Sequence, residues 1–394
     1  MPRRISDAQR RARLAVRHRL APSATADDDL VAVARSVVAL HATDPATVVL
    51  SAMARMRTPD PAAVERALYD DVVLLRMMAM RRTIFTCAVE DAALLQRSSA
   101  DAVAANERKK LLALLEQQSV GDDPVAWLAT AEAKTLAAVE EAGEAAATDL
   151  TKAVPELATK VTVAPGTKHA ATIGLSSRVL NLMGMEGLLV RGRPKGRWTS
   201  SQHRWASLED RLGAPLAAIP VDAARAELVR RWLARFGPGT VADIKWWTGW
   251  TMGATRAALA ALDTEDVELD DGAAAIVLAD DADPIAEPEP WVALLPGLDA
   301  TPMGWKERAW YLGDHRSHVF DTSGNVGPTI WVDGRIAGGW AHRRSGRVAF
   351  HLLDDVGAER AEMVAAAAAA LEGRLGPDRI LPRFPSPLDR HLST

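Results

Sequence analysis

The sequence predicts a mainly α, α+β protein: three tandem helix–helix–hairpin units of the winged-helix type, followed by a β-rich C-terminal region. Three observations carry this expectation. Capped helical segments give way to short apolar strand runs three times within residues 1–280. One of the resulting hairpins, after the helix in Ile173–Leu189, is Arg191-Gly192-Arg193-Pro194-Lys195-Gly196-Arg197, a Gly- and Pro-built turn with four cations and no acid in it. From Trp291 the texture changes to strands with a β-hairpin turn signal at Asp333-Gly334.

In chain order, Ser6 caps a basic helix from Asp7 to about Leu20, and Thr25 with Asp27 and Asp28 opens a second over Leu30–Leu40. The second helix is expected to end at His41, with Asp44-Pro45 as a turn or a swinging carboxylate. A third begins at Pro59-Asp60-Pro61 and runs to Tyr69, and Val72–Met80 and Thr83–Val89 read as strands about Arg81-Arg82. The second unit holds a long Ala-rich helix, Pro124–Ala142, a short helix at Thr148–Val154, and the basic hairpin returning through Trp198-Thr199-Ser200. The third holds Asp222–Phe236, Val241–Trp247 capped by Thr240, Met252–Leu262 capped by Thr251, and a hairpin of Val267–Leu269 with Ala274–Leu278. Beyond it, Trp291–Leu295, Thr329–Val332, Arg335–Ala341 and Arg347–Leu353 read as strands, and Ala358–Leu371 as a helix laid on them. The domain limits expected are 1–120, 121–215, 216–285 and 286–394. A generic helical array with insertions would show the same periodicity.

Composition narrows the function classes. Of 394 residues, 48% are hydrophobic and 25% charged, an ordinary globular balance, and the formal net charge of −4 means that any polyanion surface is local. Charge is segregated: Ala257–Trp305 contains no Lys or Arg but many Asp and Glu, while basic clusters fall at Arg10–Arg19, Arg191–Arg204, Arg230–Arg235 and Arg343–Arg347. A single cysteine, Cys87 in the apolar run Ile84–Val89, excludes a disulfide framework and a Cys-based zinc site. His315 and His318 have no third ligand near them in sequence, so neither metal nor cofactor is expected. No apolar run approaches the roughly 20 residues of a membrane span, and MPRRISDAQRR has no signal-peptide h-region, so a cytoplasmic location is expected.

The basic hairpin suits a phosphate backbone. Arg191, Arg193, Lys195 and Arg197 are the expected contacts, with Gln202 and Arg204 following. Arg343, Arg344 and Arg347 around Ser345-Gly346, and Arg81 and Arg82 at the first-unit turn, are further DNA-contact candidates. Trp246, Trp247 and Trp250 read as core rather than as base-stacking aromatics.

Six segments resemble the winged-helix DNA glycosylases of the AlkZ and YcaQ type. They are Leu40–Pro45 (LHATDP), Met80–Val89 (MRRTIFTCAV), Arg191–Trp205 (RGRPKGRWTSSQHRW), Arg235–Trp250 (RFGPGTVADIKWWTGW), Leu294–Leu312 (LLPGLDATPMGWKERAWYL) and Gly324–Trp340 (GNVGPTIWVDGRIAGGW). The resemblance implies a C-shaped arrangement of tandem winged helices about double-stranded, damaged DNA. It also implies excision of alkylated bases, notably N7-alkylpurines and in some members crosslinked ones, or self-resistance to DNA-alkylating natural products. The family's catalytic Gln-x-Gln or Gln-x-Asp falls on His41-Ala42-Thr43, so His41 and Thr43 stand where both catalytic side chains are expected, with Asp44 beside them. A neutral imidazole can accept a proton from water, and a threonine hydroxyl can hold the same water. No lysine is implied in the chemistry, which makes the enzyme monofunctional, and no dimerisation helix is evident, which suggests a monomer. The second reading is a non-enzymatic DNA-binding protein, a regulator or lesion sensor.

Overall fold

A computed structural model describes residues 3–25, 27–163, 170–376 and 378–394. Strand β1 (Arg3–Ile5) leads into α1 (Asp7–Arg17), where the Ser6 hydroxyl accepts the Gln9 N–H. Helix α2 (Leu30–Arg35) is capped by Asp29 and stops at Arg35, five residues short of the expected end. Val38 then takes a positive φ of 65°, costly for a β-branched residue, and turns the chain into β2 (Leu40–His41). Asp44-Pro45, expected as a turn, is instead the N-cap and first residue of α3 (Pro45–Met53), a helix buried along its whole length. Helix α4 (Pro61–Tyr69) is capped by Asp60, and β3 (Leu74–Met78) and β4 (Ile84–Ala88) form the first hairpin.

Helix α5 (Ala92–Leu95) continues through a π-helical turn at Gln96–Ala100 into α6 (Asp101–Gln117), elements that the sequence reading did not anticipate. Next come α7 (Pro124–Ala142), β5 (Ala145–Ala146), α8 (Ala147–Ala153), β6 (Lys160–Val163), β7 (Ala171–Gly174), α9 (Ser176–Met185), β8 (Leu189–Pro194) and β9 (His203–Ser207). The first hairpin and the basic hairpin belong to one sheet, ordered β2-β4-β3-β8-β9-β5 and joined where Arg76 faces Arg191. Helices α10 (Leu208–Leu212), α11 (Val221–Phe236), α12 (Val241–Thr248) and α13 (Met252–Ala260) precede β10 (Thr264–Leu269) and β11 (Ala274–Leu278). Strand β1 extends that hairpin in parallel, with Arg3 opposite Val267.

The C-terminal sheet is antiparallel, in the order β12 (Val292–Leu295), β13 (Thr329–Val332), β14 (Arg335–His342), β15 (Val348–Leu352). Short helices α14 (Ala309–Leu312) and α15 (Arg316–Val319) lie between its first two strands, and α16 (Gly357–Leu375) and α17 (Pro387–Leu392) follow. Asp333 and Gly334 both have positive φ, as the expected two-residue turn requires.

The largest core joins α2, α3 and β3–β4 to α11–α12 and the C-terminal sheet, with Trp232, Trp291, Trp305, Trp331 and Trp340 buried in it. A second core, around Leu115, Leu128, Val139, Met183 and Trp205, holds the α6–α9 segment together. Part of the acidic stretch between Ala257 and Trp305 meets the N-terminus. Arg4 pairs with Asp270, Arg17 with Asp281, and Arg13 donates to the carbonyls of Asp281 and Asp283. The basic α1 is therefore internal cement, with Arg10 and Arg13 buried, and not the open stripe its sequence suggested. No helix among the described residues is long and apolar enough to cross a membrane.

Candidate active site

His41 ends β2, opposite Phe85 of β4, and the Ala42 N–H continues the ladder to Ile84 O at 2.8 Å. The strand ends at His41, and the chain bends at Thr43 before α3 begins. The imidazole is only 7% exposed, meets the Phe85 ring edge-on at 5.5 Å, and has a buried Nδ1 without a hydrogen-bond partner. Burial, reinforced by the Arg81 guanidinium, drives its pKa down to about 3. It is neutral at physiological pH, as a proton acceptor must be.

Thr43 lines a cleft of about 520 Å³. The cleft's other walls come from the β3–β4 turn (Met78, Arg82, Ile84), α6 (Glu107, Lys110, Leu111), α9 (Arg178, Asn181, Leu182, Met185), Arg191 of β8 and Arg383 of the C-terminal tail. Five cations and one carboxylate thus share the lining. Glu107 is engaged by Arg82 at 3.0 Å and by Lys110 at 2.8 Å, and among the described residues Arg178, Arg191 and Arg383 have no ion-pair partner. His41 lies two residues from this wall and not on it.

Asp44 is not on the cleft lining. Its carboxylate accepts the N–H groups of Ala46 (3.1 Å) and Arg383 (3.2 Å), so the swinging carboxylate considered from sequence is held as the cap of α3 and the anchor of the tail. Burial raises its pKa, opposed by those two N–H groups and by Arg76 and Arg383.

The candidate DNA contacts divide sharply. Arg81, with φ of 55°, lies over the Trp246 ring at 4.5 Å, where Arg308 also sits at 4.6 Å. It is stacked on an indole rather than free at an open turn, and burial with Arg308 lowers its pKa to about 10. Arg82 is exposed in the cleft mouth. The hairpin cations, unopposed in sequence, meet acids from elsewhere in the fold. Arg193 pairs with Asp70 at 2.6 Å and lies over Tyr69, Arg197 pairs with Asp378, and Arg204 lies 3.9 Å from Glu144. Lys195 and Gln202 are exposed at the tip, with the Lys195 N–H donating to the Gln202 carbonyl. In the second basic turn, Arg343 donates to Leu392 O, Arg347 pairs with Glu372 while 76% exposed, and Arg344 is exposed.

Trp247 is buried as expected, Trp246 carries the two guanidinium groups, and the Trp250 indole donates to Ser99. Cys87 is fully buried, and burial raises its thiol pKa. His315 lies 2.9 Å from Asp354, and among the described residues no three potential ligand side chains gather as a metal set.

Sequence reasoning missed Lys110, Arg178, Asn181 and Arg383. One signal was available: Arg178, Asn181, Leu182 and Met185 fall at i, i+3, i+4 and i+7 of α9, a single helical face. The apolar residues of that helix dominate its sequence pattern and mask its mixed cleft face. Nothing local marks Arg383.

The family model described as DNA glycosylase AlkZ-like matches residues 34–374. Among solved structures, the Streptomyces sahachiroi DNA glycosylase AlkZ matches with a TM-score of 0.72 and 19% sequence identity, over 96% of this chain and 98% of that one, a likeness of fold. No curated protein matches the chain.

Proposed function

The chain belongs to the DNA glycosylase AlkZ-like family, and we propose that it removes alkylated bases from duplex DNA, with the Thr43 cleft as the place where the damaged strand is read. The observation that carries this reading is the cleft itself, with five cations on its walls and Thr43 among them. A cationic lining concentrates a polyanion.

The proposed chemistry is hydrolysis of the N-glycosidic bond. Water attacks C1′, the C1′–N bond breaks with its electron pair going to the base, and the water's proton passes to the neutral imidazole of His41. Thr43 holds the water. An N7-alkylpurine suits such a site because its base is already cationic and leaves neutral, so no strong general acid is required. The departing base needs no lysine adduct, which makes the enzyme monofunctional. The helix–helix–hairpin units, divided near residues 120, 215 and 285, are read as tandem winged helices, and the protein as a cytoplasmic monomer closing on one duplex. Crosslinked bases and self-resistance to an alkylating natural product are finer versions of the same activity.

A second reading has its own observation. His41 is 7% exposed and stands off the cleft wall, which suits a DNA-binding protein that senses lesions without cutting them. Base release from duplexes carrying N7-methylguanine or a bulkier N7 adduct, scored as alkali-labile breaks for wild type and His41→Ala, separates the two. Release by wild type and loss in the variant support the glycosylase. Salt-sensitive binding with no release from any adduct supports the sensor.

A further inference from the structure

Two arginines face each other in the middle of the largest sheet, Arg76 of β3 and Arg191 of β8, as register partners. Like charges directly opposite across strands are unfavourable, and here one of them is 97% buried, since Arg76 is 3% exposed. Their bonds do not neutralise them. Arg76 donates to the Ala42 carbonyl (3.0 Å) and the Tyr69 hydroxyl (3.3 Å), and Arg191 to Asn181 Oδ1 (3.0 Å) while lying 3.7 Å over the Trp205 ring. The Nε of each is buried without a partner. A third guanidinium, Arg383, reaches the Thr43 carbonyl at 3.4 Å. Every acceptor of the three side chains is neutral. Among the described residues, Asp44 is a carboxylate whose charge reaches Arg76 and Arg383, but its oxygens already take the Ala46 and Arg383 N–H groups, and Glu107, elsewhere on the cleft lining, is held by Arg82 and Lys110. His203, the other titratable neighbour, stays neutral.

Buried cations persist where a counter-charge meets them at work. Arg191 and Arg383 open into the cleft between Thr43 and Arg178. We infer that Arg191 and Arg383, backed by the buried charge of Arg76, form a preformed anion pocket that takes one backbone phosphodiester of the DNA, the one flanking the nucleotide presented to Thr43. This rests on the DNA reading of the cleft and adds to it a single fixed phosphate, bound by charge-assisted hydrogen bonds from planar guanidinium forks. The pocket sets the register of the strand, whereas the exposed cations Lys195 and Arg344 only raise its local concentration.

The test has two arms. In the first, inorganic phosphate and pyrophosphate are titrated into DNA-free wild type, Arg191→Gln and Arg383→Gln while Tm is recorded. Wild type rises in Tm and the variants respond weakly, and in phosphate-free buffer the variants are no less stable than wild type because a repulsion has been relieved. A merely structural cluster gives lower Tm in the variants and no phosphate response, which overturns the inference. Arg383 lies on an exposed tail, so its variant keeps the arm informative if Arg191→Gln does not fold. In the second arm, duplexes with a central abasic-site analogue carry one uncharged methylphosphonate, stepped along the strand. Wild type loses roughly tenfold in affinity at one linkage, and Arg191→Gln binds that duplex and the unmodified one alike. Equal losses at every linkage, or phosphate stabilisation without any DNA binding, overturn the backbone assignment. Base release with no phosphate response sinks this inference and leaves the glycosylase standing; phosphate response with a single sensitive linkage but no base release does the reverse.

Discussion

Arg55 and Asp299, 244 residues apart in sequence, are both fully buried and joined at 2.8 Å. The pair fastens α3 to the loop after β12, with Ser51 and Thr301 completing the shell. Because α3 begins two residues after Thr43, this bond anchors the helix that follows the cleft residue. Removing one partner strands a charge in the core, so Asp299→Asn should lower stability by about 3–5 kcal/mol, measured by urea unfolding. Burial pushes the Asp299 pKa up, but Arg55, Ser51 and the Thr301 N–H together hold it below the ordinary value. A depressed carboxylate contributes stability that is present above the unfolded pKa and lost as pH falls through the folded one. The contribution of this pair should therefore persist at neutral pH and fade only in strong acid. An Asp299→Asn protein as stable as wild type at pH 7 would contradict it.

His41 makes a pH prediction of the same sign in a different window. Its pKa is lowered to about 3 by burial and by Arg81, so the unfolded chain binds its proton first. Stability is then greatest above the ordinary histidine value and falls as pH drops from about 6.5 towards 3. His41→Gln should flatten part of that slope, although buried His18, whose pKa is also held well below normal, contributes its own share. If base release uses the neutral imidazole, its rate should show no acid limb near pH 6.5. A limb there would mean that His41 is solvated in the working state or takes no part in the reaction.

For Asp44, capping and catalysis predict different outcomes from one pair of substitutions. Asparagine caps a helix about as well as aspartate, while alanine costs about 0.5–2 kcal/mol. As the cap of α3, Asp44→Asn should keep nearly wild-type Tm and base release, and Asp44→Ala should lose both in part. A carboxylate required in the reaction would be silenced by either change.

The legible part of this protein was its local chemistry, and the hidden part was what distant segments do to it. Ser6, Asp60, Thr240 and Thr251 all cap the helices they announce, and Asp333-Gly334 makes its turn, because each signal acts over three or four residues. Asp44-Pro45 was readable as a cap with proline at the first helical position, yet the same dipeptide also opens turns, and only the burial of α3 decides between them. Arg193 and Arg197 looked unopposed because Asp70 and Asp378 lie more than a hundred residues away in sequence. The Thr43 cleft is assembled from six separate stretches of chain, and a residue such as Arg383 carries no local mark of its place in it.

That division of the basic residues yields the last prediction. A cation already paired within the protein releases few counterions when DNA arrives, whereas an exposed, unpaired one contributes about 0.9 to the slope of log K against log salt. Lys195→Ala and Arg344→Ala, both at exposed positions, should each reduce the slope by about one unit and leave Tm within error. Arg193→Ala and Arg197→Ala remove partners of Asp70 and Asp378. They should act on the docking of the hairpin instead, seen as faster amide exchange in β8 and β9, with a smaller change in slope. Fluorescence anisotropy of a labelled duplex at several salt concentrations measures the first quantity. Equal slope changes in all four variants would mean that DNA breaks these ion pairs on binding, and that the hairpin works as the open basic wing its sequence first suggested.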